Sequence, residues 1–285
     1  GGSEIFVAER VDGVWSADVN VNDYPLWIEQ QAPAIAADPL GNVTLVWQDT
    51  RGGTDDIYFA ERPLGGAWST NTRVGQSGGA ASKRWPDFAV DAEGGGYALW
   101  IDNRSEGYDL FFRYRTPAGV WQPSEQVNLS TGPVLGYSRV AIDVDAAGRA
   151  YAVWASDVPF DVYFAVRSIT GTWGLEERVN DDIGSAERCD PDIAVDDAGN
   201  AYVIWSDSRD DVSDIFFAYR SASGVWSSNE KVHPDASGDY QAVPAITVDA
   251  SSNAYAVWED ESSLDDEVDI YAAVRPANGS WSPRE

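Results

Sequence analysis

Residues 191 to 226 read PDIAVDDAGNAYVIWSDSRDDVSDIFFAYRSASGVW, and this stretch decides the fold. Runs of β-branched and aromatic residues, such as AYVIW and DIFFAY, alternate with short polar segments that are rich in Asp, Gly and Asn, in Asp and Arg, or in Ser and Gly. Runs of this kind, interrupted about every 8 to 12 residues by turn-forming residues, predict short β-strands joined by tight turns. With the Lys-Val that follows at 231–232, the stretch predicts one unit of four strands.

The four-strand unit is repeated along the whole chain. Its first half occurs five times, in repeats that begin near residues 33, 86, 139, 191 and 244, and its second half occurs once more as a half-repeat over residues 4–23. Each first half contains a marker aspartate, and these are 53, 54, 51 and 53 residues apart: Asp38, Asp91, Asp145, Asp196 and Asp249. Eleven of the 13 tryptophans occupy two repeat positions, which predicts that they fill the space between packed sheets.

Repeats of this length with four strands each predict an all-β fold, a β-propeller of four-stranded antiparallel blades forming a single domain over residues 1–285. Five full repeats and one half-repeat favour six blade positions with one incomplete. The alternative is a five-bladed ring with a surplus hairpin. Both arrangements leave an unpaired strand edge, through which self-association is expected.

Composition narrows the class of protein. The chain has 47 acidic and 19 basic residues, a net charge of −28 and a pI near 4.1, which excludes nucleic acid and anionic lipid as partners. A hydrophobic content of 44 % excludes a disordered acidic chain, and no stretch is apolar for long enough to insert into a membrane. We expect a mature protein that is extracellular or displayed on the cell surface and that is salt-tolerant or halophilic. This expectation rests on the acidic surface, the Gly-Gly-Ser start and the preference for Arg over Lys. GC-rich coding bias explains the Arg preference equally well.

A single cysteine, Cys189, excludes an intramolecular disulfide and a cysteine-based metal site. It is expected to be a small buried apolar residue.

The segments WQDTR at 47–51, DDIYFAER at 55–62 and GGAW at 65–68 resemble the sialidase-like, Asp-box (BNR) type of bacterial propeller repeat. The resemblance covers essentially the whole chain and implies the propeller fold. It implies no single function, because such repeats occur in hydrolases, lectins and surface proteins. The boxes are degenerate, since one residue instead of two separates Gly119 from Trp121 and the Ser-x-Asp element is missing.

Two groups of repeated residues are expected to be structural. The marker aspartates precede Gly/Asn turns and are predicted to cap them, with Ca²⁺ binding as the lesser alternative. Acidic residues near 210–214 and 265–269 offer the oxygen ligands that Ca²⁺ takes, but without EF-hand spacing, so no cofactor is predicted. Aspartate and arginine two residues apart are predicted to pair and to tie a loop to the neighbouring blade: Asp49 with Arg51, Asp102 with Arg104, and Asp207 with Arg209.

The candidate ligand-binding residues lie just before the first strands of the repeats. Arg84, Arg139 and Arg188 occupy these places in three successive repeats, and Gln31 and Gln241 in two others. Three converging guanidinium groups would bind a carboxylate. The alternative is that these side chains hydrogen-bond loop carbonyls around the rim.

The resemblance adds a chemical expectation to these positions. Sialidases hold the sugar carboxylate with an arginine triad, and Arg84-Trp85-Pro86 resembles the Arg-Ile-Pro element of that family. Such enzymes also need a tyrosine nucleophile with a glutamate partner and a separate aspartic acid. Tyr137 and Tyr240 fall in suitable loops, but the sequence pairs no acid with either of them. Trp27 and Trp85 are candidates for stacking on sugar rings.

These observations predict a secreted or cell-surface propeller that acts as a non-catalytic recognition or scaffold module and binds a glycan or another anionic small ligand. A sialidase-like glycoside hydrolase is the first alternative, and a purely structural module of a larger surface protein is the second. No catalytic residues are predicted. His233, the only histidine, has no nucleophile elbow near it that would complete a Ser-His-Asp triad.

Overall fold

The computed structural model describes residues 2–24, 28–75, 81–105, 107–210, 212–233, 239–261 and 268–285. Every regular element within these ranges is a β-strand. The chain divides into two compact units, residues 1–106 with 111–125 and residues 107–110 with 126–285. The single-domain organisation expected from the sequence stays a prediction.

The first unit contains a half-sheet and two sheets. In the half-sheet, β1 (Phe6–Val7) pairs with β4 (Val19–Asn20), and β2 (Arg10–Val11) pairs with β3 (Val14–Trp15), all antiparallel. The next sheet has the order β5 (Gln30–Ala37), β6 (Val43–Asp49), β7 (Asp56–Arg62), β8 (Thr72–Arg73). The following sheet has the order β9 (Lys83–Val90), β10 (Gly96–Ser105), β11 (Gly107–Arg115), β12 (Glu125–Gln126), and the boundary of the unit falls within β11.

The second unit contains three sheets in which strand order again follows chain order. The first consists of β13 (Ala141–Val144), β14 (Ala150–Ala155), β15 (Val162–Arg167) and β16 (Glu177–Arg178). The second consists of β17 (Arg188–Val195), β18 (Ala201–Asp210), β19 (Val212–Arg220) and β20 (Glu230–Lys231). The third consists of β21 (Tyr240–Val248), β22 (Ala254–Glu261) and β23 (Val268–Arg275). Ala272 and Glu285 exchange two backbone hydrogen bonds of 3.0 Å beside β23, where the other sheets have their fourth strand.

The repeated tryptophans fill the space between sheets, as the sequence predicted, except for Trp15 of the half-sheet, which is 66 % exposed. Those of the second strands are at most 1 % exposed: Trp47, Trp100, Trp154, Trp205 and Trp258. Those of the later hairpin contact a phenylalanine of the preceding sheet edge-on, as in Trp226 against Phe164 with ring centroids 5.2 Å apart, and Trp281 against Phe217 at 5.3 Å. Edge-on aromatic pairs add to the free energy of burying the rings, so this packing is specific as well as apolar.

The marker aspartates cap the hairpins between first and second strands, which confirms the sequence prediction. Oδ1 of Asp249 accepts hydrogen bonds of 2.9 Å from the backbone N–H groups of Ser251 and Asn253, and its Oδ2 accepts one from Asn253 Nδ2. The other four accept equivalent backbone bonds: Asp38, Asp91, Asp145 and Asp196. Five of the 47 acidic residues of the chain therefore cap its turns.

These caps predict a defined dependence of stability on pH. The hydrogen bonds from the side chain and backbone of Asn253 lower the pKa of Asp249 below the usual value of an aspartate. A carboxyl with a lowered pKa stabilises the fold above its unfolded pKa, and the contribution is lost as the pH falls through the folded pKa. We expect the difference in thermal midpoint between the wild type and Asp249→Asn to be constant above pH ~5 and to shrink below pH ~4. A difference that stays constant down to pH ~2 would contradict this role of the charge.

A β-bulge positions the residues at the beginning of the first strands. Four of these strands have one non-glycine residue with φ near +50°, directly before a proline: Ala32, Trp85, Asp190 and Val243. In all four the pairing register shifts at that point, for example between Cys189 and Asp192. A bulge inserts one residue and re-aims the side chains before it. The residues three before the proline are consequently buried against the second strand: Gln30, Lys83, Arg188 and Gln241.

Candidate functional site

The prediction that Arg188 helps to form an open anion site is wrong. Its side chain is 0 % exposed, and its Nε donates a hydrogen bond of 2.9 Å to Asp207 Oδ2. Its Nη2 donates to Asp182 Oδ2, and its Nη1 donates to the carbonyl of Ala186 at 3.1 Å. A guanidinium that is enclosed by carboxylates and carbonyls is neutralised within the fold and does not attract a ligand anion.

The three arginines also differ in their position along the strand. Arg188 lies three residues before the proline of its repeat, and Arg84 lies two residues before it. Arg139 directly precedes Val140, which stands at the place of the proline. Each one-residue step changes the side of a strand to which a side chain points, so these three places are not equivalent.

Arg84 and Arg139 are both more accessible than Arg188. Arg84 Nε donates to Asp55 Oδ2 at 3.0 Å and to Ser82 Oγ at 2.9 Å, while its side chain is 41 % exposed. Arg139 is exposed, and its backbone N–H donates to Asp190 Oδ1 at 3.0 Å.

The two glutamines are likewise not equivalent. Gln241 is 0 % exposed, donates from Nε2 to Asp260 Oδ2 at 3.1 Å and accepts a bond from the backbone N–H of Ile215 at 3.3 Å. Gln31 is exposed, and its neighbour Gln30 takes the buried place, with a bond of 3.2 Å to Asp49. Gln241 is therefore removed from the set of candidate ligand-binding residues, because its side chain is enclosed and both of its polar ends are bonded.

The Asp-x-Arg elements are hydrogen bonded in the structure. Arg209 Nη2 donates to Asp207 Oδ2 at 2.6 Å, Arg51 Nη2 donates to Asp49 Oδ2 at 2.7 Å, and Arg104 donates to Asp102. The three aspartates are 0 % exposed: Asp49, Asp102 and Asp207. Because the carboxylates are enclosed, they are not open to an incoming ligand.

Two of these arginines also reach the preceding repeat. Arg209 Nη1 donates to Asp181 Oδ1 at 3.1 Å, and Arg51 Nη1 donates to Asp23 Oδ1 at 2.9 Å. Arg209 also covers the ring of Phe216, 4.2 Å from its centroid. Charge-assisted bonds to two carboxylates together with a cation–π contact fix the loop after β18.

An open cleft of about 240 Å³ lies beside this loop in the second unit. It is lined by Glu187, Cys189, Ser208, Val212, Ser213 and Tyr240. The backbone N–H of Glu187 donates to Ser208 Oγ at 3.0 Å, and the carbonyl of Glu187 accepts the N–H of Ser208 at 3.1 Å. These bonds hold Glu187 at the rim, so the cleft presents one carboxylate, two hydroxyl-bearing residues and an aromatic ring.

Tyr240 lines the cleft, and Tyr137 is hydrogen bonded to Glu187 at its rim. Tyr240 is 48 % exposed, and Tyr137 is 57 % exposed with its Oη donating to Glu187 Oε1 at 2.6 Å. This bond to Glu187 raises the pKa of Tyr137, and burial with the neighbouring thiol and carboxylates raises that of Tyr240. Both phenols are therefore neutral at physiological pH and carry a hydrogen-bond donor.

Glu187 was missed by sequence reasoning. Tyr137 and Glu187 are 50 residues apart, so no local motif connects them. A signal is nevertheless present, because Glu187 and Tyr240 both stand four residues before the proline of their repeats. In the four repeats that have this proline, the position is occupied by Glu29, Ser82, Glu187 and Tyr240.

Cys189 lines the cleft and is partly exposed, which corrects the expectation of a buried apolar residue. Burial, and after it the charges of Asp190 and Glu187, raise the pKa of its thiol to about 12. Because the thiolate is the reactive form, this thiol is a poor nucleophile near neutral pH.

The raised pKa predicts slow alkylation of the folded protein. At pH 8 we expect iodoacetamide to label Cys189 roughly a thousandfold more slowly in the native state than in denaturant, with the native rate rising about tenfold per pH unit up to pH ~10. Mass spectrometry of quenched samples measures both rates. A native rate that levels off near pH 9 would mean that the thiol has an ordinary pKa.

The remaining predicted residues contribute less to this site. Trp85 is half-buried at the bulge within β9, His233 is half-buried after β20, and Trp27 lies outside the described residues. In the described part of the chain, no group of three or more His, Cys, Asp or Glu residues is arranged to hold a metal ion. Asp211, Asp265 and Asp266 of the Ca²⁺ alternative lie outside the described residues. Within the same ranges, no helix is long and apolar enough to cross a membrane.

Comparison with known proteins finds similar structures but no similar sequences. No protein family and no curated protein matches the sequence. The BP39L lectin from Burkholderia pseudomallei is similar over 94 % of this chain and 73 % of its own, with a TM-score of 0.63 and 11 % identity. An α-L-arabinanase from Penicillium chrysogenum, solved with arabinobiose, is similar over 88 % and 80 %, with a TM-score of 0.57 and 11 % identity.

A third similar structure is a mutant of the NanB sialidase from Streptococcus pneumoniae. The likeness covers 92 % of this chain and 60 % of the sialidase chain, with a TM-score of 0.60 and 9 % identity. At such identities the likeness concerns the fold. Together with the antiparallel sheets described above, it shows that the chain is a β-propeller of four-stranded blades, in which five blades and one half-blade account for six blade positions.

Proposed function

We propose that this chain is a non-catalytic carbohydrate-binding propeller, secreted or displayed on a cell surface, and that the glycan binds in the cleft between Tyr137 and Tyr240. The observation that carries the proposal is the combination of two exposed tyrosine rings with the Glu187 carboxylate around one open cleft. The C–H face of a sugar stacks on an aromatic ring, and its hydroxyls bond to carboxylates and serine hydroxyls. The structural likeness to a lectin and to an enzyme solved with a sugar supports the same ligand class.

The charge of the cleft favours a neutral glycan over an acidic one. Glu187 lines the cleft, Asp190 follows Cys189 directly, and Glu261 is the cross-strand partner of Tyr240. The nearest buried cation, Arg188, is held by Asp207 and Asp182. None of the described residues that line the cleft is basic, so a carboxylated sugar would meet the Glu187 carboxylate, and such a like-charge contact rejects a ligand.

A glycan array tests this proposal. We expect the wild type to bind neutral oligosaccharides and to ignore sialylated and uronic acid glycans of similar size. Tyr240→Ala and Glu187→Gln should each remove most of the signal, whereas Tyr255→Ala, at a tyrosine that is 40 % exposed on β22, should leave it unchanged. An array without any binding would contradict the proposal and would favour the alternative that the chain is a purely structural module. Binding confined to acidic glycans would contradict the assignment of ligand charge.

A glycoside hydrolase is the second candidate, and the hydrogen bond between Tyr137 and Glu187 favours it. A tyrosine paired with a glutamate is the nucleophile arrangement implied by the sialidase-like resemblance. The non-catalytic proposal expects no release of 4-methylumbelliferone from a panel of aryl glycosides that includes the sialoside. Turnover that Tyr137→Phe abolishes would establish the enzyme instead.

A further inference from the structure

At four places in the chain, an arginine lies between an aromatic ring and a carboxylate. The guanidinium of Arg209 is 4.2 Å from the ring centroid of Phe216 and donates to the Asp207 carboxylate at 2.6 Å. The same arrangement recurs at three further places: Arg51 between Tyr58 and Asp49, Arg104 between Phe111 and Asp102, and Arg284 between Tyr271 and Asp260. A ring face and a carboxylate attract the same cation, so together they form a cation site.

The cleft beside Tyr240 presents a ring and a carboxylate without such an arginine. Tyr240, which is 48 % exposed, and Glu187 both line the cleft, and none of the lining residues that the structure describes is basic. The Tyr137 hydroxyl donates to Glu187 Oε1 at 2.6 Å, and no donor from the described part of the chain reaches Glu187 Oε2. The ring and this oxygen are therefore open to a cation that a ligand carries.

The surroundings of the cleft add further negative charge. Glu261 is exposed and is the cross-strand partner of Tyr240, so the two side chains project to the same side of the sheet. The pKa of both phenols is raised, by the hydrogen bond to Glu187 first in Tyr137 and by burial first in Tyr240, and further by nearby carboxylates: Glu187, Asp157, Asp190 and Glu261. A negative potential at a cleft favours a ligand of positive charge.

A buried hydroxyl on the cleft side of β18 lacks a partner. Ser206 is 1 % exposed, and its Oγ forms no hydrogen bond within the described ranges. Ser206 lies two residues before Ser208 on β18 and is the cross-strand partner of Cys189, and both of these residues line the cleft. Side chains in these relations project to the same side of a sheet. A buried hydroxyl of this kind is normally satisfied by a ligand or a water, which is a second and independent indication of a ligand here.

We propose that the glycan in this cleft carries a protonated amine, so that the site selects an amino sugar with a free amine over its N-acetylated form. This inference rests on the proposed glycan-binding function and specifies its ligand. The ammonium lies between the ring of Tyr240 and the carboxylate of Glu187, as an arginine does at the four places described above. Acetylation removes the charge of the amine and with it both attractions.

Two tetrasaccharides of β-1,4-linked glucosamine test this selection, one with free amines and one that is fully N-acetylated. They share the same sugar backbone, and at pH ~6 the free amines are protonated. Isothermal titration of the wild type should give a Kd that is at least about fivefold lower for the free-amine form. Raising the NaCl concentration from ~50 to ~500 mM should reduce this ratio of Kd values, because salt screens exposed charges.

Variants that each remove one negative charge locate the attraction. Asp157→Asn and Glu261→Gln should each reduce the ratio of Kd values by about twofold, as expected for single exposed charges near the ligand. Asp197→Asn removes the same charge from an exposed position on the hairpin after β17 and should leave the ratio unchanged. Circular dichroism verifies that each variant is folded.

The outcomes separate this inference from the proposed function. Neutral glycans that bind while the free-amine tetrasaccharide binds no more tightly than its acetylated form would overturn the inference and leave the proposed function standing. Binding of the free-amine form that Tyr240→Ala does not weaken would replace it with a general attraction to the acidic chain. Choline that binds as tightly as the free-amine form would replace it with a cation site that needs no sugar. Absence of binding for every glycan would contradict both proposals.

Discussion

Asp207→Ala is expected to lower the free energy of unfolding by about 3 to 5 kcal/mol, because it breaks a buried ion cluster. Oδ2 of Asp207 accepts bonds from Arg188 at 2.9 Å, Arg209 at 2.6 Å and Trp205 Nε1 at 2.9 Å, and the aspartate is 0 % exposed. Removing the carboxylate leaves the buried guanidinium of Arg188 with one carboxylate fewer and releases Arg209 from the loop after β18. Both effects raise the free energy of the folded state and leave that of the unfolded state unchanged.

Equilibrium unfolding in urea, followed by circular dichroism, measures the loss. Asp197→Ala provides the matched control, since Asp197 is exposed on the hairpin after β17 and should change the unfolding free energy by no more than ~0.5 kcal/mol. Asp207→Asn should cost less than Asp207→Ala, because the amide keeps the shape and part of the hydrogen bonding. A loss below ~1 kcal/mol for Asp207→Ala would show that the cluster contributes little to stability.

Tyr240→Ala is expected to weaken the binding of a neutral glycan at least tenfold. Tyr240 is 48 % exposed and lines the cleft, so its ring is available to a sugar face without rearrangement of the fold. A stacked ring contributes about 0.5 to 1.5 kcal/mol beyond the free energy of burying its area, and the lost burial adds to this, so the total exceeds the ~1.4 kcal/mol that a tenfold change in Kd requires. Tyr240→Phe should retain most of this affinity because it retains the ring.

Isothermal titration with the best neutral ligand from the array measures these differences. Tyr137→Phe gives a second, distinct readout, since it removes the bond to Glu187 and leaves that carboxylate free for the sugar. We therefore expect Tyr137→Phe to change affinity less than Tyr240→Ala. Equal affinity of Tyr240→Ala and wild type would remove Tyr240 from the binding site.

The blade architecture could be predicted from sequence because its determinants are local and repeated. Asp249 bonds to residues two and four positions later, so the cap is visible as a short motif. Trp205 and Trp258 occupy the same repeat position, and their burial follows from the periodicity alone. In physical terms, turn chemistry and inter-sheet packing are encoded within each repeat of about 50 residues.

The candidate site could be predicted only in part. Tyr137 and Tyr240 were placed in the relevant loops, but the contact of Tyr137 with Glu187 depends on how separate repeats pack. The role of Arg188 was misjudged because a bulge at Asp190 sets which side chain faces inward. A one-residue bulge has no strong signature in sequence when the left-handed residue is aspartate, tryptophan, alanine or valine instead of glycine.

The structure also explains the role of part of the acidic residues behind the net charge of −28. Asp49, Asp102 and Asp207 are fully buried and paired with arginine, and the marker aspartates cap hairpins. Acidic residues thus stabilise loops and turns in addition to solvating the surface. The scarce arginines are used mainly to neutralise these carboxylates, which leaves the cleft beside Tyr240 acidic.

Hydrogen exchange of the wild type with and without a saturating neutral glycan tests the location of binding most directly. The proposed function predicts slower exchange at Glu187 to Asp190, at Ser208 and Ser213, and at Tyr240, with unchanged exchange at the capped hairpins of Asp38 and Asp249. Protection confined to those hairpins, or protection absent from the cleft while the glycan is bound, would contradict the assignment of the site.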